Sequence, residues 1–388
     1  MKILLLAPHP FYQERGTPIA VDLLLRVLSK RGDEVDVLTY HEGLPREYPG
    51  TTIHRIRNLS FIKDVPPGFS WKKVFCDLFL FFKAVKTVRR KKYDIIHAVE
   101  ESAFIAVFLK KFFKTRYIFD MDSSMPEQIV EGKPVTKFML PIMRRMEKSA
   151  VLNAEAVVVM CEALSKKAAD YGGKNVITLT DISLLSTISA DKKESTIKNP
   201  FSNGTTFMYI GNLQPYQGID LLLQSFAQAA RSSGKINLII IGGSELDIEE
   251  YRIKAAALGI DEKTCFTGPK SISALKQMFE ISDILVSPRT QGVNTPMKIF
   301  SYMDSGNPIL ATNLPTHTQV LSEKTALLAK PEPEAFAKAM LKLAQDKTLQ
   351  KKLAKHASRI VKEKYSFAVF EDKVKELYKS IERKNDTE

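Results

Sequence analysis

The chain has 388 residues, of which 44% are hydrophobic and 26% are charged, a composition that excludes a disordered protein and favours two globular domains. Lysine and arginine outnumber aspartate and glutamate by 57 to 44, and the net charge of +13 indicates polyanionic partners such as phosphorylated substrates or anionic lipid. No recognition motif for nucleic acid accompanies this charge, so nucleic acid is not an expected partner. The three cysteines show no metal-ligand spacing and indicate reduced thiols in a cytoplasmic protein. No apolar run approaches the ~20 residues that a membrane-spanning helix needs.

Short apolar runs alternate with helical patterns along the first half of the chain. Runs of this length that are rich in isoleucine and valine indicate buried parallel strands, and the helices between them indicate layers on both faces of one sheet. The predicted strands are 3–7, 34–40, 52–56, 94–98, 116–120, 156–160 and 176–179. Residues 1–180 are therefore predicted to form one α/β domain.

The alternation stops over residues 181–204, where a stretch rich in Ser, Lys and Thr predicts an interdomain linker. A second α/β domain is predicted over residues 205–364, followed by a last helix within 365–388. Its predicted strands are 206–210, 237–241, 264–267, 284–287, 308–311 and 326–328. Two such domains make a ligand cleft between them the default expectation.

A loop, a helix and a glycine stop are predicted to follow one another over residues 293–306. Asn294 or Thr295 is predicted to cap the helix, and Pro296 suits its first turn. Unpaired backbone N–H groups at the start of a helix, with Lys298 one turn in, predict an anion site. This start also lies just beyond a predicted strand, where open α/β sheets bind ligands. The segment therefore predicts a phosphate-bearing ligand, the alternative being a well-capped structural helix.

The stretch 71–92 combines helical spacing of apolar residues with a high density of basic ones. The apolar positions are Val74, Phe75, Leu78, Phe81, Phe82, Val85 and Val88, and the basic ones are Lys72, Lys73, Lys83, Lys86, Arg89, Arg90, Lys91 and Lys92. Such a helix can lie on anionic lipid, and the basic and aromatic residues of 110–116 extend the predicted patch. The stretch predicts reversible contact with an anionic membrane. The alternative is a helix whose phenylalanines face the core and whose basic side is solvated.

Several short motifs follow one another in a fixed order along the chain. They are Arg15-Gly16-Thr17-Pro18, Tyr93-Asp94-Ile95-Ile96-His97, Tyr209-Ile210-Gly211-Asn212-Leu213, Gln217-Gly218-Ile219-Asp220, Ile240-Ile241-Gly242-Gly243, Phe266-Thr267-Gly268 and the segment 293–306. Their order and spacing resemble the retaining, nucleotide-sugar-dependent glycosyltransferases of family four over essentially the whole chain. The resemblance implies the GT-B fold, in which two Rossmann-like, doubly wound parallel-sheet domains face a central cleft. It also implies that the last helix packs back on the first domain.

The chain departs from the pattern of that family at five positions. Asn212 and Gln217 stand where most members have the Arg and Lys that hold the donor diphosphate. Val293 and Ser301 stand in place of two Glu, one near the transferred sugar and one at the donor ribose, and Val99 stands in place of a second His. These departures indicate a divergent subgroup and leave the identity of the donor open.

The resemblance implies a donor site in which charge on the departing diphosphate is stabilised without a metal or cofactor. Lys298 is one predicted cation, and Arg289, just after a predicted strand, is the other, because its guanidinium suits phosphate bidentately. An exposed surface arginine is the alternative for Arg289. The predicted donor-binding residues are Gly16, Thr17, Gly211, Asn212, Gln217, Gly268, Pro269, Asn294, Thr295, Pro296 and Ser301.

The acceptor side is predicted at the carboxyl edge of the first sheet. The resemblance places His97 near the acceptor, where a histidine can shuttle a proton, the alternative being a core histidine. Glu100 and Glu101 follow it and are candidates to orient acceptor hydroxyls, although for either one alone a solvated loop carboxylate is the favoured alternative. Asp120 and Asp122 form a DxD pair, but two carboxylates are too few to specify a metal. An acceptor-facing loop is predicted instead, the alternative being a helix-capping Asp.

The sequence therefore predicts a glycosyltransferase that moves a sugar, with retention, from a nucleotide-sugar donor to a glycan or lipid-linked acceptor. The resemblance implies a role in surface polysaccharide or glycolipid synthesis, in the cytoplasm or peripherally at the inner face of the cell membrane. Two alternatives remain open. One is a degenerate, non-catalytic protein that binds nucleotide or glycan, and the other is a two-Rossmann nucleotide-sugar epimerase.

Overall fold

The computed structural model of the protein describes residues 1–59, 61–66, 68, 70–132, 134–187 and 197–385. The chain divides into two compact units. Unit 1 comprises residues 1–180 and 371–388, and unit 2 comprises residues 181–370. Residues 188–196 of the predicted linker lie outside the described residues, and the rest of that linker belongs to unit 2.

Unit 1 is built on a parallel sheet of seven strands in the order β3-β2-β1-β4-β5-β6-β7. The strands are β1 (Lys2–Ala7), β2 (Glu34–Thr39), β3 (Thr51–Arg55), β4 (Ile95–Val99), β5 (Tyr117–Met121), β6 (Ala156–Val159) and β7 (Val176–Thr178). The order reverses between β1 and β4, and loops that leave the carboxyl ends of these two strands form the usual binding edge of such a sheet.

Six helices of unit 1 connect these strands. They are α1 (Gly16–Arg31), α2 (Trp71–Arg90), α3 (Ser102–Phe113), α4 (Met125–Gly132), α5 (Leu140–Asn153) and α6 (Glu162–Asp170). Buried residues of α2, α3, α5 and α6, such as Cys76, Leu80 and Ala106, share one hydrophobic cluster with the sheet. The helices α2 and α3 are thereby fixed side by side as part of one layer.

Unit 2 repeats this architecture with a parallel sheet of six strands in the order β10-β9-β8-β11-β12-β13. The strands are β8 (Thr205–Ile210), β9 (Ile236–Ile241), β10 (Thr264–Gly268), β11 (Ile284–Ser287), β12 (Ile309–Thr312) and β13 (Leu327–Ala329). The helices are α7 (Ile219–Ser232), α8 (Glu245–Ala257), α9 (Leu275–Glu280), α10 (Lys298–Asp304), α11 (Pro315–Thr318), α12 (Pro333–Gln345) and α13 (Lys347–Lys364). The prediction of two Rossmann-like parallel-sheet domains is confirmed.

The last helix, α14 (Phe367–Asn385), lies for most of its length in unit 1. Lys30 Nζ pairs with Glu371 at 2.8 Å, and Arg31 pairs with Glu382 at 2.7 Å. Tyr378 is fully buried. The helix is therefore an integral part of unit 1 and is held by ion pairs to α1. No helix of the described residues is long and apolar enough to cross a membrane.

Candidate active site

Three glycines line the carboxyl edge of the sheet in unit 2. Gly211 follows β8, Gly242 follows β9, and Gly268 ends β10. Their backbones are hydrogen-bonded in series, Gly211 N to the Ile241 carbonyl and Gly242 N to the Gly268 carbonyl, each at 2.9 Å. A Cβ atom on Gly242 would lie only 2.1 Å from the Gly211 carbonyl oxygen. A side chain at Gly242 is therefore excluded by the neighbouring backbone, and the strand ends pack closely at this edge.

Lys298 lies at this edge with its ammonium turned into the protein. Its Nζ lies 3.7 Å from the centroid of the Tyr209 ring and donates to Gln217 Oε1 at 3.3 Å. Burial, and secondly the positive charge of Arg289, hold the pKa of Lys298 well below its usual range. No described carboxylate forms an ion pair with it. A desolvated cation without a counter-ion is costly, and an anionic ligand would relieve that cost.

Arg289 reaches the same place from the end of β11. Its guanidinium carbon lies 5.2 Å from the centroid of the Tyr216 ring, and its Nε donates to the Gln291 carbonyl at 2.7 Å. Asn212 Nδ2 in turn donates to Tyr216 Oη at 3.3 Å. The structure therefore brings five predicted donor-side residues to one edge: Gly211, Asn212, Gln217, Arg289 and Lys298.

The predicted cap of the helix at this site is wrong. The helix α10 begins at Lys298, its N-cap is Met297, and no side chain caps it. The Thr295 hydroxyl is buried and has no hydrogen-bond partner among the described residues. The loop before the helix is held instead by α11 and the residue after it, because Thr316 donates to the Asn294 carbonyl and Gln319 to the Val293 carbonyl. With a helix of only seven residues, the site depends on the Lys298 side chain more than on the helix start.

Sequence reasoning missed a buried polar network beneath this site. His317 Nε2 lies 2.8 Å from Ser287 Oγ, and His317 Nδ1 lies 3.0 Å from Thr312 Oγ1. Thr312 Oγ1 donates to the Arg289 carbonyl at 2.6 Å. The network therefore supports the backbone of Arg289, whose side chain is a candidate to bind phosphate. A single histidine among small polar residues after β12 was the only signal, and it carries no spacing that distinguishes it.

The network makes a pH-dependent prediction about stability. Burial, only partly opposed by a hydrogen bond to the Thr312 backbone, lowers the pKa of His317 from 6.5 to about 3. The unfolded chain therefore binds a proton that the folded one does not, and stability falls as pH falls from 6.5 toward 3. Between about pH 7 and pH 5 the loss attributable to this residue is about 2 kcal/mol.

Urea unfolding at those two pH values checks the prediction. His317→Gln should lose this part of the pH dependence, whereas His356→Gln, at a partly exposed position on α13, should retain it. An identical pH dependence in wild type and His317→Gln would contradict the assignment of a neutral, buried imidazole.

Ser301 and the residues after β10 are placed differently from expectation. Ser301 is 3% exposed, and its Oγ accepts a hydrogen bond from Leu184 N at 3.0 Å, so its position gives the predicted ribose contact no support. Gly268 has a φ of +71° and ends its strand, and Pro269 next to it is exposed. The β10 exit therefore remains accessible, as a backbone contact with a nucleotide base requires.

In unit 1 the predicted position of His97 is wrong. It is the central residue of β4 and is 1% exposed, not a residue at the edge of the sheet. Both ring nitrogens have partners: Nδ1 lies 2.9 Å from Tyr378 Oη, and Nε2 lies 3.1 Å from Asp120 Oδ2. The sequence could not show this, since Tyr378 lies 281 positions away. The geometry fits a core histidine that joins β4, β5 and α14.

Glu100 and Glu101 do lie at the carboxyl edge of the sheet, directly after β4. Thr17 Oγ1 donates to Glu100 Oε1 at 3.3 Å, so the first turn of α1 and the segment after β4 meet there. A Cβ atom on Gly16 would meet no heavy atom within 4 Å, so the backbone there is open to an approaching ligand. The structure thus brings Gly16, Thr17, Glu100 and Glu101 together.

The DxD pair does not assemble a site of its own. The Asp120 side chain is 15% exposed and is engaged by His97, whereas Asp122 lies beyond the end of β5. Within the described ranges, no group of three or more His, Cys, Asp or Glu side chains is arranged to hold a metal ion. Asp120 therefore orients a core histidine, and its predicted contact with an acceptor has no support from this geometry.

Comparison with known proteins defines the class. A family model described as Glycosyltransferase Family 4 matches residues 15–179, and one described as Glycosyl transferases group 1 matches residues 191–360. Together with the two parallel sheets, these matches show that the chain is a glycosyltransferase of the GT-B class. Within that class it belongs to the GT4-like glycosyltransferases, as the order of its motifs implies.

Similar proteins extend over most of the chain. The sulfoquinovosyl transferase SQD2 of Arabidopsis thaliana is 24% identical over 96% of this chain and 72% of its own length. The sucrose-phosphate synthase of Thermosynechococcus elongatus has the same fold, with a TM-score of 0.77, 18% identity and 98% of both chains covered. The structure of Anabaena HepE in complex with UDP-glucose gives a TM-score of 0.75 at 16% identity, with 98% of this chain and 100% of that one covered.

Proposed function

We propose that the protein transfers a sugar from a nucleotide-sugar donor to a glycan or lipid-linked acceptor, with retention and without a metal. The observation that carries the proposal is the Lys298 ammonium, which is desolvated and lacks a carboxylate partner in the described structure. It lies at the carboxyl edge of the sheet in unit 2, beside Arg289 and the backbone of Gly211. A UDP-sugar is the first donor to test, since a protein of the same fold holds UDP-glucose.

The proposed chemistry follows from the charge that develops on the donor. As the bond between the sugar and the diphosphate breaks, negative charge accumulates on the phosphate oxygens, and cations already in place lower the barrier. Lys298 would supply one cation and Arg289 a second, bidentate one. The backbone of Gly211, beside the Lys298 ammonium, would lie next to the phosphates. Gln217, which already holds Lys298, would keep its ammonium pointed at them.

The experiment is a panel of UDP-, GDP- and ADP-sugars offered to the purified protein. Binding should raise the melting temperature for one nucleotide class. Release of the nucleoside diphosphate in the presence of membrane lipid extract should then report transfer, and product analysis distinguishes transfer from epimerisation. A failure of every sugar nucleotide to shift the melting temperature would reject the proposal, and binding without turnover would favour a non-catalytic protein.

We further propose that the protein contacts anionic membrane reversibly through residues 71–92. On α2 a stripe at helical spacing stays in solvent: Trp71, Val74, Phe75, Leu78 and Phe82 are 47–62% exposed. The neighbouring helix α3 continues this surface through Phe112, which is 60% exposed. Its ring centroid lies 4.4 Å from that of the partly buried Phe108, which in turn lies 4.9 Å from that of Phe81. Exposed aromatic stripes with lysine and arginine beside them fit the interface of an anionic bilayer.

The sole tryptophan of the chain, Trp71, is a natural probe of this contact. Its fluorescence should shift to the blue with vesicles of phosphatidylglycerol but not of phosphatidylcholine, and salt should weaken the response. Leu78→Ser should lower vesicle affinity about 10- to 150-fold, because burying a leucine side chain contributes ~1.5–3 kcal/mol. Leu246→Ser, an equal change on the exposed surface of α8, is the control. Equal vesicle affinities of Leu78→Ser and Leu246→Ser would contradict the assignment of this face of α2 as the lipid-binding surface.

A further inference from the structure

The two faces of α2 carry different chemistry. Its outer face presents Trp71, Phe75 and Leu78 to solvent, whereas Lys73 and Asp77 point inward. The Lys73 side chain is only 12% exposed. Because all five residues lie within the first two turns of one helix, any contact that fixes the outer face also fixes the inner one.

Lys73 reaches the carboxylates that follow β4. Its ammonium forms an ion pair with Glu101 and lies 3.7 Å from Glu100 Oε2. Burial acts against this charge, but the two carboxylates outweigh it and raise the pKa of Lys73 above its ordinary value. Ser70 caps the helix by accepting from Lys73 N at 3.2 Å, so the residue sits in a defined first turn.

The segment that receives Lys73 depends on such contacts. Glu100 has a φ of +48°, a left-handed conformation that a residue with a Cβ rarely adopts without support from its surroundings. Thr17 supports its carboxylate from one side and Lys73 from the other. A second tie runs from Tyr40 after β2, whose Oη donates to Asp77 Oδ1 at 2.5 Å. The inner face of α2 is thus bound to the loops at the candidate acceptor edge.

We propose that Lys73 is a positioning residue through which docking of α2 on an anionic lipid surface orders Glu100 and Glu101. The inference rests on the proposed lipid contact and adds regulation to it. Vesicle contact on the outer face immobilises the first turns of α2, Lys73 moves with them, and its ion pair holds the strained backbone of Glu100. The carboxylates at the acceptor edge are then ordered where a lipid-linked acceptor is present.

Hydrogen exchange of the full chain tests this without any sugar donor. Empty phosphatidylglycerol vesicles should slow amide exchange in residues 99–104 of the wild type. In Lys73→Met this slowing should be lost, while the Trp71 blue shift at saturating vesicles persists. Lys166→Met is the control, since it removes the same charge from the exposed face of α6 in the same unit, outside the proposed lipid surface. That control should behave as wild type.

Glu101→Gln removes the other partner of the ion pair and should likewise abolish the vesicle-induced slowing of amide exchange. This second variant keeps the test decisive if Lys73→Met folds poorly. If vesicles still slow amide exchange in both Lys73→Met and Glu101→Gln, the inference is overturned. It is also overturned if vesicles shift the Trp71 fluorescence of the wild type but leave amide exchange in residues 99–104 unchanged. If vesicles leave Trp71 unchanged, the lipid contact and this inference fall together. Absence of transfer with every donor would reject the enzymatic proposal alone, because neither readout depends on turnover.

Discussion

Lys298→Met is expected to weaken nucleotide-sugar binding by about 10- to 150-fold, since a hydrogen bond to a charged group contributes ~1.5–3 kcal/mol. The free energy of unfolding should stay the same or rise, because the substitution removes a desolvated ammonium without a carboxylate partner in the described structure. Such opposite effects are typical of a residue kept for binding at the expense of stability. Calorimetric titration of the donor and urea unfolding measure the two effects.

The same lysine predicts proton uptake on binding. Its pKa is depressed in the free protein by burial and then by Arg289, and a bound diphosphate would raise it. Donor affinity should therefore fall as pH rises from the depressed pKa of the free protein toward the higher pKa of the complex. Calorimetry in two buffers of different ionisation enthalpy reports this uptake directly. Lys351→Met, on the exposed face of α13, is the control and should change neither affinity nor uptake. Unchanged donor affinity in Lys298→Met would contradict the assigned role.

Gly242→Ala is expected to be far more damaging than Gly259→Ala, although both glycines have positive φ angles, +113° and +69°. At Gly259 an added Cβ would meet nothing within 4 Å, so only the left-handed backbone costs energy, about 1–2 kcal/mol. At Gly242 the Cβ would also lie 2.1 Å from the Gly211 carbonyl oxygen, a backbone atom that must then move. The displaced Gly211 backbone lies beside Lys298, so donor binding should fall as well.

Urea unfolding of the two variants, at equal protein concentration, separates the shared conformational cost from the steric one. Donor titration then shows whether the row of glycines belongs to the binding edge. If Gly242→Ala and Gly259→Ala lower the free energy of unfolding equally, the Gly211 carbonyl oxygen does not constrain position 242. The close packing of the β8 and β9 ends would then not matter for the site.

The strands of both sheets could be predicted from the sequence because most of them are short apolar runs, many with β-branched residues, between turn signals. Every predicted strand is present, with ends shifted by at most a residue or so: the strand predicted as 94–98 is Ile95–Val99, and that predicted as 308–311 is Ile309–Thr312. The helix Ser102–Phe113 was not predicted, because it is apolar nearly all round and gives no periodic contrast.

The candidate site could be predicted only in part, because its geometry depends on contacts between distant segments. Arg289 could be singled out by its place after a predicted strand, and Lys298 by its place in the first turn of a predicted helix. The Tyr209 ring that covers Lys298 lies on a strand 89 positions earlier, and no local pattern joins the two. The predicted position of His97 is wrong for the same reason, since its partner Tyr378 lies 281 positions later in the chain. Local pattern fixes which atoms are available, but tertiary packing decides which of them already have partners.

The interruption of unit 1 by the whole of unit 2 has a consequence for biogenesis. On the ribosome, residues 1–180 emerge and can collapse long before Tyr378 is translated. During that time the Nδ1 atom of His97 lacks its partner, the Tyr378 hydroxyl. The nascent first unit is therefore incomplete until α14 has been translated, and a chain terminated before Tyr378 would leave that interior exposed to chaperones and proteases.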